Sequence, residues 1–207
     1  MNEQLLKMNG LSVGILDALS FESHLGIPLK KNLHYFDKDL LIAELISMTE
    51  WLDEQEILSG IALDYRVKSL DSILLKYDRY YPDHQTRKVF NDILGFRAFC
   101  DSYDQILEEE SVQFRIADMS SGKAVDDGYR GVHVYYQKSG KYYPIEIQFN
   151  TLFDRQLNNW LHDYLYKKDY PIETGRILRE KYESGLIRNE HEFKEVLNNV
   201  LSGSERS

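Results

Sequence analysis

The amino-acid sequence predicts an α/β chain of the α+β type, in which a mixed β-sheet is flanked by helices within a single domain. The middle of the chain is rich in β-branched and aromatic segments, whereas the segments before and after it repeat apolar residues every three or four positions. Ser139 and Gly140 separate two of the strand-like segments, which predicts a hairpin. A chain of 207 residues is long enough for one well-buried domain and too short for two ordinary ones.

The predicted elements follow in order along the chain. Apolar spacing predicts an amphipathic helix over residues 38–59, and a helix start near Ser69 predicts a second helix that ends before Pro82. The strand candidates cover residues 91–100, 111–119, 129–138 and 141–150. Helices are expected again over residues 152–166 and 174–201. The predicted organisation is an N-terminal arm over residues 1–37, a folded domain over residues 38–201 and a disordered tail over residues 202–207.

Composition restricts the class of protein. Hydrophobic residues make up 43% and charged residues 29%, as is typical of a soluble globular protein. No run of about 18 apolar residues predicts a membrane span, and the polar start does not resemble a signal peptide. The single cysteine, Cys100, lies in an apolar stretch, which favours a buried inert thiol. We therefore expect a cytoplasmic protein with no membrane partner.

The charge is unevenly distributed along the chain. A net charge of −9 argues against a general nucleic-acid coat protein, because such proteins bind through many phosphate contacts. The cations nevertheless concentrate in one short segment, while acidic residues dominate residues 44–56 and 101–110. The clustered cations are Arg66, Lys68, Lys76, Arg79, Arg87 and Lys88. This asymmetry indicates a local polyphosphate site on an acidic body, since fields act over about 8–10 Å in physiological salt.

The first candidate motif is a basic row that contains a serine. Lys68, Ser72 and Lys76 are spaced by four residues, so on a helix they share one face. Two ammonium groups, a hydroxyl and oriented backbone N–H groups suit a triphosphate. Arg66 and Arg79 flank this row. Taken alone, the pattern fits a solvated cationic helix face better.

A second motif joins a carboxylate to an apolar strand. Asp92 opens the strand, and Gly95 and Arg97 point to the same side of it by the period of two. A carboxylate at a strand edge suits Mg²⁺ that bridges phosphates, because Mg²⁺ prefers one or two carboxylates together with substrate oxygens. A buried ion pair between Asp92 and Arg97 explains the pattern about as well.

Two further motifs lie on the hairpin segments. Tyr129, Arg130 and His133 follow a glycine and offer an aromatic face and donors to a base and its phosphates. Glu146 and Gln148 share one face of the return strand, where Glu146 could complete a metal site or accept a proton. The alternatives are an ordinary strand start for the first motif and the solvent face of an edge hairpin for the second.

The order and spacing of these motifs are more specific than any one of them. RVKSLDSILLK, DILGFR, GYRGVH, EIQFNT and WLHDYLYK resemble the RelA/SpoT synthetase family over about residues 40–170. The resemblance implies a nucleotidyltransferase-like fold that moves the β,γ-pyrophosphate of ATP to a ribose 3′-hydroxyl with Mg²⁺. It implies that Arg66 and Arg97 sandwich the adenine, and that the catalytic residues are Asp92, Glu146 and Tyr129. It further assigns the ATP phosphates to Lys68, Ser72, Lys76 and Arg79, the metal to Asp92 and Glu146, and the acceptor to Tyr129, Arg130, His133 and Gln148.

Two departures from the family bear on the acceptor. Guanine-nucleotide synthetases of the family usually carry a lysine and an arginine where this chain has Val125 and Asn150. An acceptor with fewer 5′-phosphates would fit, such as the 3′-CCA end of tRNA. This is the acceptor that toxic small alarmone synthetases of the family modify. Lys30 and Lys31 could contact the tRNA. On this prediction the chain is a toxin that inhibits translation and has a cognate antitoxin. The alternatives are a synthetase that makes (p)ppGpp from GDP or GTP, and an inactive nucleotide-binding regulator.

Overall fold

The computed structural model describes residues 3–108, 112–166, 168 and 170–204. Within these residues, five strands form one sheet in the order β1-β2-β5-β4-β3. The strands are β1 (Tyr65–Val67), β2 (Leu94–Phe99), β3 (Phe114–Met119), β4 (Gly131–Tyr136) and β5 (Ile145–Asn150). The predicted α+β class, a mixed sheet flanked by helices, is confirmed.

Helices precede, interrupt and follow the strands along the chain. Before β2 lie α1 (Glu3–Met8), α2 (Val13–Ala18), a 3-10 helix (Leu33–Tyr35), α3 (Lys38–Asp53), α4 (Glu56–Ser59), α5 (Leu70–Tyr80) and α6 (Thr86–Val89). After β2 lie α7 (Asp104–Leu107), α8 (Leu152–Tyr164), α9 (Glu173–Glu183) and α10 (Glu190–Ser204). None of the helices in the described ranges is both long enough and apolar enough to cross a membrane.

The chain divides into two compact units. The first comprises residues 1–98, 104–117 and 133–149, and the second comprises residues 99–103, 118–132 and 150–207. Neither unit is a continuous stretch of sequence, in keeping with the prediction of a single sequence domain. Each unit is described by itself below.

The first unit contains most of the sheet. One side of the strands is fully apolar, with Leu94 and Phe96 of β2 and Val134 of β4 completely buried. Helix α3 adds a buried stripe at the helical repeat, formed by Leu41, Leu45, Met48 and Leu52. The segment predicted as an N-terminal arm also contributes to this core through Leu5, Leu6, Leu11, Leu16 and Leu19.

The second unit is built around α8, α9 and α10. Trp160 and Leu161 of α8 pack with Leu178 of α9 and Phe193 of α10 in one apolar cluster. Tyr182 also lies in this cluster, with its ring at 90° to that of Trp160. Trp160 is therefore a core residue of this unit.

Several predicted boundaries differ from the structure. The helix predicted over residues 38–59 is two helices, because Gln55 has an extended backbone and its side-chain amide caps the Trp51 carbonyl at 2.8 Å. The helix predicted over residues 174–201 is also split, at a turn where Gly185 adopts a φ of +78°. Helix α10 continues to Ser204, so the predicted tail is helical at residues 202–204, and residues 205–207 lie outside the described residues.

Candidate active site

The basic row and the strand-edge carboxylate form one ion-pair cluster in the first unit. Lys68 Nζ lies 2.9 Å from Asp92 Oδ2, and Lys76 Nζ lies 2.9 Å from Asp92 Oδ1. Lys68 precedes α5, and its backbone N–H donates to the Ile93 carbonyl, so it lies beside the start of β2. The alternative in which Asp92 pairs with Arg97 is wrong, because within the described residues the ion pairs of Asp92 are with the two lysines.

Burial affects the charge of Lys68. Only 7% of its side chain is exposed. Burial lowers the pKa of the Lys68 ammonium below its usual value, and the neighbouring Asp92 carboxylate offsets only part of this effect. Lys68 is thus a cation that needs a nearby anion, whether that anion is Asp92 or a phosphate.

The other members of the basic row lie on α5. Ser69 caps this helix by accepting the Ser72 N–H, and the two hydroxyls lie 3.0 Å apart. The Ser72 hydroxyl therefore lies at the N-terminal turn, where backbone N–H groups favour an anion. Arg79 lies in the last turn of α5 and is exposed. The assignment of Ser72 and Arg79 to ATP phosphates stays a prediction.

Strands β1, β2 and β5 together line a small cavity. Arg66 is paired with Gly95 in the antiparallel register of β1 and β2, and both line the cavity with Arg97, Glu146 and Gln148. Its volume of about 30 Å³ is far below that of a purine.

Glu146 lies at the centre of the sheet rather than on an edge. It is only 5% exposed, since β5 runs between β2 and β4. The alternative that placed it on the solvent face of an edge hairpin is wrong. Its Oε1 lies 3.0 Å from His133 Nδ1, and its Oε2 accepts a hydrogen bond of 2.7 Å from the Gln148 amide.

These contacts keep Glu146 ionised despite its burial. Desolvation by itself would raise the pKa of Glu146, but hydrogen bonds from His133, Gln148 and Tyr135 outweigh it and leave the pKa below its usual value. Tyr135 stays protonated, because burial and the nearby Glu146 charge raise the pKa of its hydroxyl. The result favours the ionised carboxylate on the polar side of the sheet.

The donor chemistry of this unit fits Mg²⁺. No group of three or more His, Cys, Asp or Glu side chains in the described ranges forms a metal cluster. A magnesium ion bound with a nucleotide needs only one or two carboxylates, which Asp92 and Glu146 would supply. Gly95 leaves space beside the Glu146 carboxylate, because a Cβ at position 95 would lie 3.4 Å from Glu146 Oε2.

The remaining acceptor candidates, Tyr129 and Arg130, lie in a loop of the second unit. This loop turns at Gly128, which has a φ of +86° and packs so closely that a Cβ would lie 2.3 Å from the Gly175 carbonyl oxygen. Arg130 forms a bidentate pair with Asp126 at 2.8 and 2.9 Å, and this contact raises the pKa of its guanidinium. Tyr129 is half-buried, with Lys123 Nζ 5.0 Å from its ring centroid.

A fully buried arginine supports the same loop. Arg179 donates to the Gly128 carbonyl at 2.8 Å, to Asp154 at 2.7 Å and to Asn158 at 3.1 Å. Asn158 and Asn150 in turn both donate to the Arg130 carbonyl. The conformation of the Tyr129 loop is therefore set by side chains of α8, α9 and the end of β5.

The residues that bear on the acceptor differ in their surroundings. Asn150 is 2% exposed and held by its hydrogen bond to Arg130, whereas Val125 is 66% exposed. Lys30 and Lys31 are exposed in the first unit, where Lys31 Nζ lies 5.1 Å from the Tyr35 ring centroid. The final motif ends at Lys167, which lies outside the described residues.

Tyr135 and Arg179 were not identified from the sequence. Tyr135 could have been found, because it lies two residues after His133 and thus on the same side of its strand. Arg179 gave only a weak signal: it lies four residues after Gly175 and three before Tyr182, on what proves to be a buried face of α9.

Comparisons with known proteins place the chain in a family. A family model described as a region found in RelA / SpoT proteins matches residues 65–170. Comparison with curated proteins gave no match. Among solved structures, the chain is similar to small alarmone synthetase 1 from Bacillus subtilis bound to its product pppGpp, with 24% identity, coverage of 80% of this chain and 90% of that chain, and a TM-score of 0.43.

Two further solved structures are similar to it. Small alarmone synthetase 2 from Bacillus subtilis has 20% identity, coverage of 83% of this chain and 100% of that chain, and a TM-score of 0.44. A GTP pyrophosphokinase family protein from Streptococcus pneumoniae has 22% identity, coverage of 80% and 90%, and a TM-score of 0.41. Since the family model matches more than half of its residues, the chain belongs to the RelA/SpoT family and is an ATP-dependent pyrophosphokinase.

Proposed function

We propose that the polar side of the sheet in the first unit binds ATP with Mg²⁺ and transfers its β,γ-pyrophosphate to a ribose 3′-hydroxyl. The observation that carries this proposal is the pairing of both lysines of the basic row with Asp92. Two ammonium groups gathered on one strand-edge carboxylate can exchange that anion for phosphate oxygens. Arg66 and Arg97, on the neighbouring strands, would hold the adenine by stacking.

In this proposal the protein acts by positioning the reactants and by balancing charge. The 3′-oxygen forms a bond to the β-phosphorus, and the bond from that phosphorus to the oxygen shared with the α-phosphorus breaks. AMP leaves with that oxygen, and the hydroxyl proton passes to solvent water. When bound, Mg²⁺ neutralises phosphate charge. Because the pKa of Glu146 is lowered, this residue suits the role of a metal-holding carboxylate better than that of a general base, whose pKa should lie near the working pH.

For the acceptor we propose the 3′-CCA end of tRNA. Asn150 is buried and donates to the Arg130 carbonyl, and Val125 is apolar, so neither offers a cation to the 5′-phosphates of a free GDP or GTP. The terminal adenosine of tRNA would stack on Tyr129, with Arg130, His133 and Gln148 as further acceptor contacts. On this proposal the chain acts in the cytoplasm, inhibits translation and is neutralised by a cognate antitoxin.

The experiment is an acceptor comparison with γ-labelled ATP. The protein is incubated with Mg²⁺ and with deacylated tRNA, GDP or GTP in separate reactions. We expect label on tRNA, and no label after chelation of the metal. Label on GDP or GTP, with none on tRNA, would replace the tRNA proposal by (p)ppGpp synthesis. Absence of transfer to all three would support an inactive nucleotide-binding regulator.

A further inference from the structure

A second group of cations lies on the polar side of the same sheet. Arg115 on β3 and Tyr135 on β4 line a cavity of about 240 Å³ with Arg87, Lys88 and Gln137. The volume is sufficient for a phosphate group with part of its sugar, and the described residues that line the cavity include no acidic side chain. The first unit therefore carries a second anion-attracting site beyond the Lys68 and Lys76 cluster.

No ion pair among the described residues neutralises the cations that line this cavity. In the described part of the chain, Arg87, Lys88 and Arg115 form no ion pair. Lys68 and Lys76, in contrast, both pair with Asp92. Three cations thus lie around one cavity on a chain of net charge −9. An anion with several oxygens would relieve their mutual repulsion, and arginine in particular presents a planar fork to phosphate.

The cavity is linked to the candidate catalytic carboxylate through the side chains of Tyr135 and His133. The Arg115 guanidinium lies 4.1 Å from the Tyr135 ring centroid. The hydroxyl of the same tyrosine lies 3.4 Å from His133 Nδ1, which in turn lies 3.0 Å from Glu146 Oε1. The anion site thus adjoins Glu146 on the side away from Arg66 and Arg97, because β4 lies beyond β5 in the sheet. That half of the sheet is the one left for the acceptor.

The cationic surface continues beyond this cavity. The Arg87 N–H donates to the Leu29 carbonyl at 2.9 Å, and the Thr86 N–H donates to the Lys31 carbonyl at 3.0 Å. These contacts hold the segment that carries Lys30 and Lys31 beside the one that carries Arg87 and Lys88. Arg87 also lines a neighbouring cavity of about 490 Å³ together with Lys30. Lys141 and the acidic Glu22 also line this second cavity, so cations lie on both cavities that Arg87 borders.

We propose that the cavity lined by Arg87, Lys88, Arg115 and Tyr135 binds a phosphate group of the acceptor. This inference rests on the proposed function and adds to it the subsite that positions the acceptor. A phosphodiester near the 3′ end of an RNA strand and a 5′-phosphate of a free nucleotide share the required chemistry. The continuation of the cations toward Lys30 favours the RNA strand.

The test uses the full chain with Lys88→Gln and Arg115→Gln, singly and together. Lys7→Gln serves as a matched control, because Lys7 is an exposed lysine of the same unit that pairs only with Glu3. Transfer from labelled ATP is measured against the concentrations of tRNA, GTP and ATP. Binding of fluorescent tRNA is measured in parallel at several salt concentrations, and circular dichroism confirms that each variant is folded.

We expect the double variant to raise the acceptor KM at least about tenfold, since each change removes a charge-assisted contact, while the KM for ATP stays within about twofold. With tRNA, the slope of log Kd against log salt should decrease by about one for each phosphate contact removed. Lys7→Gln should match the wild type. A rise in KM with GTP alone would assign the cavity to a nucleotide 5′-phosphate rather than to RNA.

The outcomes separate this inference from the proposed function. If the wild type transfers label but the folded double variant keeps its acceptor KM and its salt slope, the phosphate subsite is wrong and the proposed function stands. If the wild type transfers no label to any acceptor, the proposed function fails. In that case, an unchanged affinity of the double variant for tRNA would also overturn the phosphate subsite. A weakened affinity for tRNA would instead support the cavity as an RNA-binding site.

Discussion

Lys68 Nζ lies 2.9 Å from Asp92 Oδ2, and only 7% of the lysine side chain is exposed. Lys76 occupies the other oxygen of the same carboxylate. In the proposed mechanism, Asp92 holds Mg²⁺ and the two lysines hold phosphates. Without nucleotide, both lysines instead pair with this one carboxylate. When ATP binds with its metal, the two lysines would therefore leave Asp92 for phosphate oxygens, and Asp92 would bind the metal.

This exchange predicts two opposite effects of Asp92→Asn. Metal-free ATP should bind more tightly to the variant than to the wild type, because the lysines no longer have to leave a carboxylate that also repels the phosphates. Transfer with Mg²⁺ should nevertheless fall by roughly 10²–10³-fold, because a contact to the reacting phosphates is lost. Calorimetric titration with and without chelator, together with rate measurement, checks both effects.

Asp78→Asn is the matched control for this variant. Asp78 also lies on α5, two residues after Lys76. It forms an exposed ion pair with Lys38, in which the two atoms are 3.0 Å apart. Exposed pairs contribute little, so ATP binding and transfer should stay unchanged. Unaltered metal-free ATP binding in Asp92→Asn would show that the ion pairs do not compete with the nucleotide.

Glu146→Gln should abolish most transfer and alter the response of stability to acid. The pKa of Glu146 in the folded chain lies below its ordinary value of 4.5, so its ionised form stabilises the fold above that pH. This contribution is lost as the pH falls through the folded-state pKa. The difference in unfolding free energy between the wild type and Glu146→Gln should therefore shrink under acid, as urea titrations at several pH values would measure. A difference that is constant or grows in acid would contradict the ionised state.

Arg66→Ala and Arg97→Ala should each weaken ATP binding by about 1–2 kcal/mol, because each removes one cation from the proposed stack on adenine. The acceptor KM should stay near the wild-type value. Arg188→Ala provides the control, since Arg188 is exposed and pairs with Glu192 on α10. Equilibrium dialysis with labelled ATP measures the effect. Wild-type affinity in both variants would place the adenine elsewhere.

Gly175→Ala should destabilise the chain although alanine favours helices over glycine by about 1 kcal/mol. A Cβ at this position of α9 would lie 1.9 Å from the Asp127 carbonyl oxygen, so the Tyr129 loop would have to move. Gly203→Ala in α10 meets no atom within 4 Å and should be neutral or slightly stabilising. Urea unfolding compares the two. If the two variants had the same free energy of unfolding, the Tyr129 loop would move away from the added Cβ without a loss of stability, and the prediction would be wrong.

The sequence allowed the central elements to be predicted because each has a strong local signal. The apolar run of β2, the alternation in β5 and the capping serine of α5 all lie where they were expected. Strand β1 was missed, since three residues with an exposed pattern carry no periodicity. The break at Gln55 was missed because it depends on one backbone conformation and one side-chain cap.

The candidate site was predictable in its residues and less so in its contacts. Lys68, Lys76 and Asp92 were each identified, but their mutual pairing arises from α5 packing beside the start of β2, which spacing alone does not reveal. The burial of Glu146 could not be predicted either, because alternation on a hairpin does not show whether its outer face is covered. The contact between Arg115 and Tyr135 became visible only when β3 and β4 were found side by side.

The fate of the β-phosphate of ATP tests the central claim most directly. ATP labelled at the β-phosphorus is incubated with the protein, Mg²⁺ and deacylated tRNA, and the RNA and the released nucleotide are separated. Transfer of pyrophosphate predicts that the label moves to the RNA and that AMP forms in equal amount, with neither product in the Glu146→Gln reaction. Formation of ADP, with the β-label retained on the nucleotide, would contradict the account.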